Sequence, residues 1–195
     1  MVIDKINHIL RCNTEKTRIG ARKCTVVEID KKIAMEFLEK YHIQGYSSSS
    51  KCYGAYYKDT LVAVMTFIRE EDGLWNLNRY STNTDYIVQG MANKIFKYFI
   101  HNNYVASVKS FLDLRWGCPG NSVYEKIGFV VDEIERPDYR YVVDGKRLHK
   151  FNFRKDKINK KYGLPKTMTE SEMVKKLGIS RIWDCGLVRY VYQNN

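Results

Sequence analysis

Residues 51–82 contain three segments rich in β-branched and aromatic side chains, separated by two short polar turns. The segments are KCYGAYY, LVAVMTFI and LWNLNRYS, and the turns fall at Lys58-Asp59 and at Glu71-Asp72-Gly73. Turns this short join neighbouring antiparallel strands, because a parallel connection needs a crossover of a dozen residues or more. The pattern therefore predicts an antiparallel meander and restricts the chain to folds built on a sheet.

Two amphipathic helices are predicted on either side of this meander. The first, residues 30–42, begins at a capping residue, Asp30, and places Ile33, Phe37 and Leu38 on one face. The second, residues 91–102, follows a glycine-bearing loop that ends at Gly90. Its predicted inward residues are Ile95, Phe96, Phe99 and Ile100, and its predicted outward residues are Lys94 and Lys97.

The remaining segments complete a mixed α/β pattern. We predict strands at residues 24–29, 107–114 and 129–135, and a short helix in VYEKIG. The tail contains two aromatic strands, YRYVV and KFNFR, then a basic linker, a capped helix and a final strand. This order predicts a mixed, mostly antiparallel sheet flanked by helices, with one parallel crossover and a basic C-terminal extension. The predicted parts are an N-terminal helix and linker (1–23), an α/β domain (24–143) and the extension (144–195).

The charge of the chain indicates a polyanionic partner. The net charge is +11, and residues 140–161 hold nine Lys or Arg against two Asp. Tyr139, Tyr141, Phe151 and Phe153 interleave with these cations, a combination typical of nucleic-acid binding, most simply DNA. The predicted contact residues are Lys146, Arg147, Lys150, Arg154 and Lys155. A solvated basic surface is the alternative.

The cysteines and the N-terminal sequence indicate the cellular compartment in which the protein is expected. The five cysteines are scattered and form no CxxC pair, which predicts neither a disulfide framework nor a metal site. Residues 1–16 have no uninterrupted apolar run, so neither a signal peptide nor a membrane span is expected. We therefore expect a reduced, cytoplasmic protein with no bound metal.

Several segments resemble the GNAT acyltransferase superfamily over residues 24–135: LVAVMTF, VQGMANKIFKYF, VKSFLDL and NSVYEKIGF. In that superfamily a Gln/Arg-x-x-Gly-x-Gly/Ala signature starts a helix whose backbone amides receive the pyrophosphate of acetyl-CoA. Gly90 and Ala92 match the signature, while Ile87 stands at its first position. The resemblance implies acetyl-CoA or another acyl donor, held by Gly90, Met91, Ala92 and Asn121. The alternative is that Gly90 only starts a helix and Ala92 only permits close packing. The superfamily also has a splay between its fourth and fifth strands, where the donor binds.

The segment from residue 113 to residue 129 suggests acid–base chemistry. Asp113 ends a predicted central strand, where open α/β sheets place ligands, and Tyr124 lies on the next short helix. A carboxylate that accepts a proton beside a phenol that gives one suits group transfer. Arg115 could hold a phosphate and Trp116 could stack on an extruded base. The alternatives are an Asp113–Arg115 salt bridge and core packing of Trp116.

Two further residues could belong to the same site. His42 closes the first helix, either as a helix cap or as a site residue. Arg79 is predicted to share a strand face with Trp75 and Leu77, so its charge would need a partner. Asp113, or a phosphate of a ligand, could be that partner.

A second resemblance covers more of the chain. EFLEKYHIQGY, LWNLNRYST, FLDLRWGCPGNSVYEKIGF, PDYRYVV, KRLHKFNFRKDKI and RIWDCG follow the order of phage proteins of the Hef-like homing endonuclease type. No nuclease motif is present, and residues 1–23 are too short for a nuclease domain. The run from Asp113 to Tyr124 also resembles phage DNA-modifying proteins of the Mom type. Two hypotheses follow: a GNAT-fold transferase that modifies nucleic acid, or a DNA-binding module without chemistry of its own.

Overall fold

A computed structural model describes residues 16–194 together with Ile3, Ile6, Asn7 and Leu10. Most of the predicted N-terminal helix lies outside these residues. The chain divides into two compact units: unit 1 comprises Met1–Phe111, Cys118–Asp132 and Arg189–Asn195, and unit 2 comprises Leu112–Gly117 and Glu133–Val188. The division differs from the expected boundary after residue 143, since the end of the chain, Arg189–Asn195, lies in unit 1.

Unit 1 is built on a seven-stranded sheet flanked by two long helices. Its elements are β1 (Thr17–Gly20), β2 (Thr25–Glu28), α1 (Lys31–Tyr41), β3 (Lys51–Tyr57), β4 (Thr60–Glu71), β5 (Leu74–Thr82), β6 (Tyr86–Gln89), α2 (Met91–Asn102), β7 (Ser107–Asp113), α3 (Val123–Lys126), β8 (Val130–Glu135) and, at the end of the chain, β12 (Leu187–Gln193). The sheet has the strand order β2-β3-β4-β5-β7-β12-β8. Strands β2 to β5 are antiparallel, whereas β5 and β7 are parallel, so the predicted meander and crossover are confirmed.

Helices α1 and α2 pack on opposite faces of this sheet. Ala34, Phe37 and Leu38 of α1 are buried with Cys52 and Val64. On the other face, the ring of Phe99 in α2 stacks on Phe67 with 3.6 Å between centroids. Successive residues of a strand face opposite sides of the sheet. Val64 and Phe67 of β4 are three positions apart and therefore lie on opposite faces.

Two details of the predicted helices are corrected. Ile33 is 41% exposed and Ala34 takes its place in the core, which turns the buried stripe of α1 by one residue. The ammonium group of Lys94 does not point into solvent. It donates hydrogen bonds to the carbonyl oxygens of Ala21, at 3.0 Å, and Cys24.

Strands β1 and β6 form a separate parallel pair where a loop was expected. Each has four residues, too few to show a period of two in the sequence. Their pairing is long-range, so neither segment identifies itself locally as a strand.

Unit 2 has its own small sheet and its own core. Its elements are β9 (Tyr139–Val143), β10 (Lys146–His149), a 3₁₀ helix (Lys150–Phe153), α4 (Lys155–Tyr162), α5 (Glu170–Lys176) and β11 (Ser180–Trp183), with strand order β10-β9-β11. Tyr141, Phe153, Ile158, Met173 and Val174 form the core. The prediction of a strand in KFNFR was wrong, since this segment is the 3₁₀ helix. The basic linker is helix α4, whose one buried residue, Ile158, leaves no amphipathic pattern to recognise.

Candidate functional site

Strands β5 and β7 separate in the middle of the sheet of unit 1. They pair only over Leu74–Asn76 and Ser107–Lys109. At the point of separation the hydroxyl of Ser110 donates a hydrogen bond of 2.8 Å to the carbonyl of Leu77. Beyond it, the two strands present backbone groups that do not pair with each other. β5 and β7 are the fourth and fifth of the strands predicted from the sequence, so the splay expected between those two strands is present.

A β-bulge accompanies this separation and changes the direction of Arg79. Thr66 lies opposite Arg79 and Phe67 opposite Leu77, so Asn78 is an extra residue in β5. Cross-strand neighbours share a face, which places Arg79 with Thr66 on the α1 side. The prediction that Arg79 shares a face with Trp75 and Leu77 was wrong, because the bulge reverses the alternation between residues 77 and 79.

The guanidinium group of Arg79 is half-buried and contacts only uncharged groups. Its Nε donates to the carbonyl of Gly45 at 3.3 Å, and its Nη1 donates to the Asn78 carbonyl at 2.8 Å and to Asn78 Oδ1 at 3.2 Å. No carboxylate among the described residues forms an ion pair with it. Burial lowers the pKa of Arg79, and the nearby Tyr124 partly offsets this effect.

His42 follows α1 and is held as a neutral imidazole. Its backbone N–H donates to Leu38 O at 2.8 Å, which ends the helix. Its ring Nδ1 accepts a hydrogen bond of 3.1 Å from the backbone N–H of Gln44. Burial, and then the charge of Arg79, lower the pKa of His42 to about 4. A neutral imidazole whose Nδ1 accepts a hydrogen bond carries its proton on Nε2, so this nitrogen is a donor.

Tyr124 lies on α3, which a capping box starts. Glu125 accepts hydrogen bonds from the backbone N–H groups of Gly120, at 2.7 Å, and Ser122, at 2.9 Å, and from the Tyr190 hydroxyl, at 2.9 Å. This carboxylate fixes the turn before the helix and, through it, the position of Tyr124.

The phenol of Tyr124 reaches the separated part of β7. Its hydroxyl donates to the carbonyl of Phe111 at 3.3 Å, and its ring packs on Tyr190 with 5.3 Å between centroids. Burial raises the pKa of Tyr124, while Ser110 and the charge of Arg79 act in the opposite direction. The phenol is therefore protonated at neutral pH. Gly45 links His42 to Arg79, because its backbone N–H donates to the His42 carbonyl at 2.9 Å and its carbonyl accepts from Arg79 Nε. Tyr124 is close enough to Arg79 for the guanidinium charge to act on its phenol.

The first turn of α2 has backbone donors without a side-chain cap. Gly90 is exposed at the N-cap position with φ of 78°, a left-handed conformation that favours glycine, and no side chain caps the helix. Met91 and Ala92 are buried, so only their backbone N–H groups could contact a ligand. Asn121 is exposed in the turn before α3.

Asp113, Arg115 and Trp116 lie in unit 2, where Asp113 and Arg115 bind each other. Arg115 Nε lies 2.9 Å and 3.0 Å from the two carboxylate oxygens of Asp113, and Arg115 Nη2 makes a further contact. Hydrogen bonds and charge from Arg115 outweigh the effect of burial and lower the pKa of Asp113. The salt bridge that the sequence left open is therefore present. Trp116 is half-buried, and its backbone N–H donates to Asp113 O at 2.9 Å.

The basic residues predicted in the extension fall into different environments in unit 2. Lys150 forms a salt bridge of 2.7 Å with Asp138, whereas Lys146 and Arg147 are exposed on β10. The guanidinium carbon of Arg154 lies 3.9 Å from the centre of the Phe151 ring. Lys155 is only partly exposed. Of the interleaved rings, Tyr141 and Phe153 are core residues rather than surface groups.

One face of the sheet in unit 2 carries a basic surface, and Arg147 is the one residue of this surface that was predicted as a contact residue. Tyr139, Tyr141 and Val143 of β9 pack with the core, so the alternate residues face the other way. This open face consists of six strand residues: Arg140, Val142, Arg147, His149, Ser180 and Ile182. Ile182 is 46% exposed, and neither arginine forms a salt bridge with a described residue. Trp183, 58% exposed, and Arg181 on β11 were also missed. Arg181 and Trp183 could have been recognised only with the knowledge that β11 pairs with β9.

Two classes of feature are absent from the described part of the chain. Among residues 16–194 and the four described before them, no helix is long and apolar enough to cross a membrane. The same residues contain no group of three His, Cys, Asp or Glu side chains arranged to hold a metal ion.

Solved structures of acetyltransferases share this fold. A GNAT family acetyltransferase from Elizabethkingia anophelis with acetyl-CoA bound is similar at 14% identity, over 88% of this chain and 99% of that chain, with a TM-score of 0.52. The ribosomal-protein-S18-alanine N-acetyltransferase from Escherichia coli is similar at 12% identity, over 87% and 93%, with a TM-score of 0.51. A spermidine N-acetyltransferase from Vibrio cholerae is similar at 7% identity, over 88% and 94%, with a TM-score of 0.51.

These comparisons establish the fold class and nothing finer. The chain has the GNAT acetyltransferase fold, which confirms the fold predicted from the sequence. No protein-family model matches the chain, and no curated protein matches it.

Proposed function

We propose that this chain is an acyltransferase that takes an acyl group from an acyl-CoA donor and passes it to a nucleic acid. The observation that carries the proposal is the separation of β5 and β7, with the protonated hydroxyl of Tyr124 on the carbonyl of Phe111 beyond the last paired residues. A fold shared with acetyltransferases supports it, one of them with acetyl-CoA bound.

The residues of unit 1 fit such a donor in part. The segments of β5 and β7 that do not pair with each other suit a chain that carries amides, as the arm of coenzyme A does. The uncapped N–H groups at the start of α2 suit its phosphates, because a helix N-terminus favours anions. Ile87 supplies no polar group at the first signature position, and the ammonium of Lys94 is turned to two carbonyls. Backbone groups would therefore hold the donor alone, and we expect weak binding of acetyl-CoA.

Tyr124 is the residue suited to the chemistry. A bound acyl-CoA supplies an acyl group on a thioester, and transfer to an acceptor amine releases a thiolate. Tyr124 can give that thiolate a proton, because its raised pKa keeps the phenol protonated at neutral pH. Asp113 is not suited to the role of base, because its carboxylate binds Arg115. We assign the proton lost by the acceptor amine to solvent water.

The open face of unit 2 supports a nucleic-acid acceptor. Arg140 and Arg147 project from the same face of the sheet, Val142 lies opposite Arg147 and Ile182 opposite Arg140, and no acidic strand residue belongs to this face. Arginines without acidic partners suit phosphate contacts, which supply most of the affinity of a nucleic-acid binder.

The proposal is tested by the mass of nucleic acid from cells that express the protein. DNA and RNA from cells with the wild type or with Tyr124→Phe are digested to nucleosides and analysed by mass spectrometry. We expect a nucleoside heavier by one acyl group with the wild type and none with the variant. If neither pool changes while purified protein still binds DNA, the chain is a binding module without chemistry, in keeping with its resemblance to part of phage homing endonuclease proteins.

A further inference from the structure

Arg79 is a charged group without a charged partner in the described part of unit 1. Two other arginines have one, since Arg69 binds Asp72 and Arg115 binds Asp113. Arg140 and Arg147 form no salt bridge with a described residue, but they are exposed to solvent. Arg79 is half-buried, and its hydrogen bonds end on Gly45 and Asn78, which are uncharged. Its Nη2 has no hydrogen-bond partner among the described residues. A partly buried charge that nothing neutralises costs folding free energy, so its retention indicates a ligand.

The neighbours of Arg79 add hydrogen-bonding capacity but no negative charge. His42 is neutral and presents a donor at Nε2, because its Nδ1 accepts from Gln44. Tyr124 is a protonated phenol. Thr66, the cross-strand neighbour of Arg79, is fully buried, and its hydroxyl has no hydrogen-bond partner among the described residues. The cluster of His42, Arg79 and Tyr124 therefore carries one net positive charge and at least two unused donors.

We propose that this cluster binds a phosphate of the acceptor, held by Arg79 Nη2 and His42 Nε2. A phosphate supplies the negative charge that Arg79 lacks and the acceptor oxygens that both donors require. The identity of the acceptor as nucleic acid rests on the function proposed above, while the anion site itself does not. Arg79 is then a specificity residue, because it selects acceptors with a phosphate close to the nitrogen that is acylated.

The test measures the thermal stability of the purified chain in sodium phosphate against sodium chloride at equal ionic strength. Phosphate also stabilises proteins by exclusion from their surface, so the relevant quantity is the difference between variants. We expect phosphate to raise the melting temperature of the wild type by about 2–4 °C more than that of Arg79→Met. Arg69→Met, which removes a paired arginine from the same unit, keeps the full phosphate response. Sodium acetate in place of phosphate separates a phosphate site from a general carboxylate site, and an equal response to acetate would overturn the assignment to phosphate.

Arg79→Met has a second expected effect that a structural arginine would not show. In chloride alone, its melting temperature equals or exceeds that of the wild type, because the substitution removes an uncompensated charge. A lower melting temperature together with an unchanged phosphate response would show that Arg79 only supports the fold, and would overturn the proposal.

The imidazole of His42 reports directly on the site. In NMR titrations we expect a pKa of about 4 for His42 in chloride. Phosphate should raise it, since a bound anion favours the imidazolium, and His42→Gln identifies the resonance. No effect of phosphate on the His42 titration would contradict the proposal.

The two proposals fail in different ways. If no acylated nucleoside forms while phosphate still affects the wild type and not Arg79→Met, the transferase function fails and the anion site stands. If acylation proceeds equally well in Arg79→Met, the transferase function stands and the anion site has no role in acceptor selection.

Discussion

Tyr124→Phe is expected to lower the kcat of acyl transfer by roughly 10²- to 10⁴-fold, the range over which general acid catalysis usually acts. The substitution keeps the ring that packs on Tyr190 and Phe129, and it removes only the hydroxyl that lies 3.3 Å from Phe111 O. Donor and nucleic-acid affinity should stay close to those of the wild type, because the phenol acts on the leaving group and not on binding. Steady-state kinetics with a single-stranded oligonucleotide and varied donor concentration measure both effects.

Tyr190→Phe is the matched control for this prediction. Its ring neighbours that of Tyr124, but its hydroxyl donates to Glu125 and not to the separated strands. It loses one hydrogen bond, which is about 1 kcal/mol of stability, and its kcat should stay within a few-fold of the wild type. A Tyr124→Phe enzyme with a kcat within threefold of the wild type would exclude Tyr124 as the acid.

Replacement of Arg140 and Arg147 by Gln should weaken nucleic-acid binding by roughly 10- to 100-fold at low salt. Both residues lie on the open face of the sheet in unit 2 and form no salt bridge with a described residue. Each phosphate contact contributes about one unit to the slope of log affinity against log salt, so the double variant should lose about two units. Fluorescence anisotropy with a labelled oligonucleotide at several salt concentrations measures the slope.

The control for this prediction removes the same net charge from residues that already have partners. Lys51 binds Glu28 at 2.8 Å and Lys166 binds Asp156 at 2.8 Å. The Lys51→Gln/Lys166→Gln variant should lose little affinity and keep most of the slope. Equal losses in the two double variants would mean that binding depends on total charge and not on the open face.

The parts of the fold that the sequence predicted are those that local chemistry determines. The turns at Lys58-Asp59 and Gly73 and the strands between them need only neighbouring residues, so the meander was correct. Helix α1 likewise begins at Asp30, whose carboxylate accepts from Lys32 N at 2.7 Å. Periodicity and capping are visible in a single sequence, and these elements depend on nothing else.

The parts that were missed depend on residues far apart in the chain. The bulge at Asn78 is a property of the pairing between β4 and β5, where the register shifts by one residue. The direction of Arg79 therefore could not be predicted from alternation along β5 alone. Strand β11 joins β9 across about forty residues, and only this pairing defines the open face with Arg140. Asp113 illustrates the opposite case, since its partner Arg115 is two residues away and the salt bridge was foreseen as an alternative.

The same distinction applies to the candidate site. Tyr124, His42 and Arg79 were each chosen from the sequence for separate reasons, and the structure brings them together in unit 1. That no described carboxylate pairs with Arg79 could not be predicted, because this requires the positions of all its neighbours. The orientation of His42 follows from a hydrogen bond in the loop after α1.

Hydrogen–deuterium exchange with and without coenzyme A is the most direct test of the account, because coenzyme A is the part that all acyl-CoA donors share. Bound donor should slow exchange at the backbone of the first turn of α2, from Met91 to Lys94, and along the separated parts of β5 and β7 beyond Leu77 and Ser110. Exchange in the larger segment of unit 2, Glu133–Val188, should not change. Absence of protection at these segments at saturating coenzyme A, or protection confined to other segments, would contradict the assignment of this site to an acyl donor.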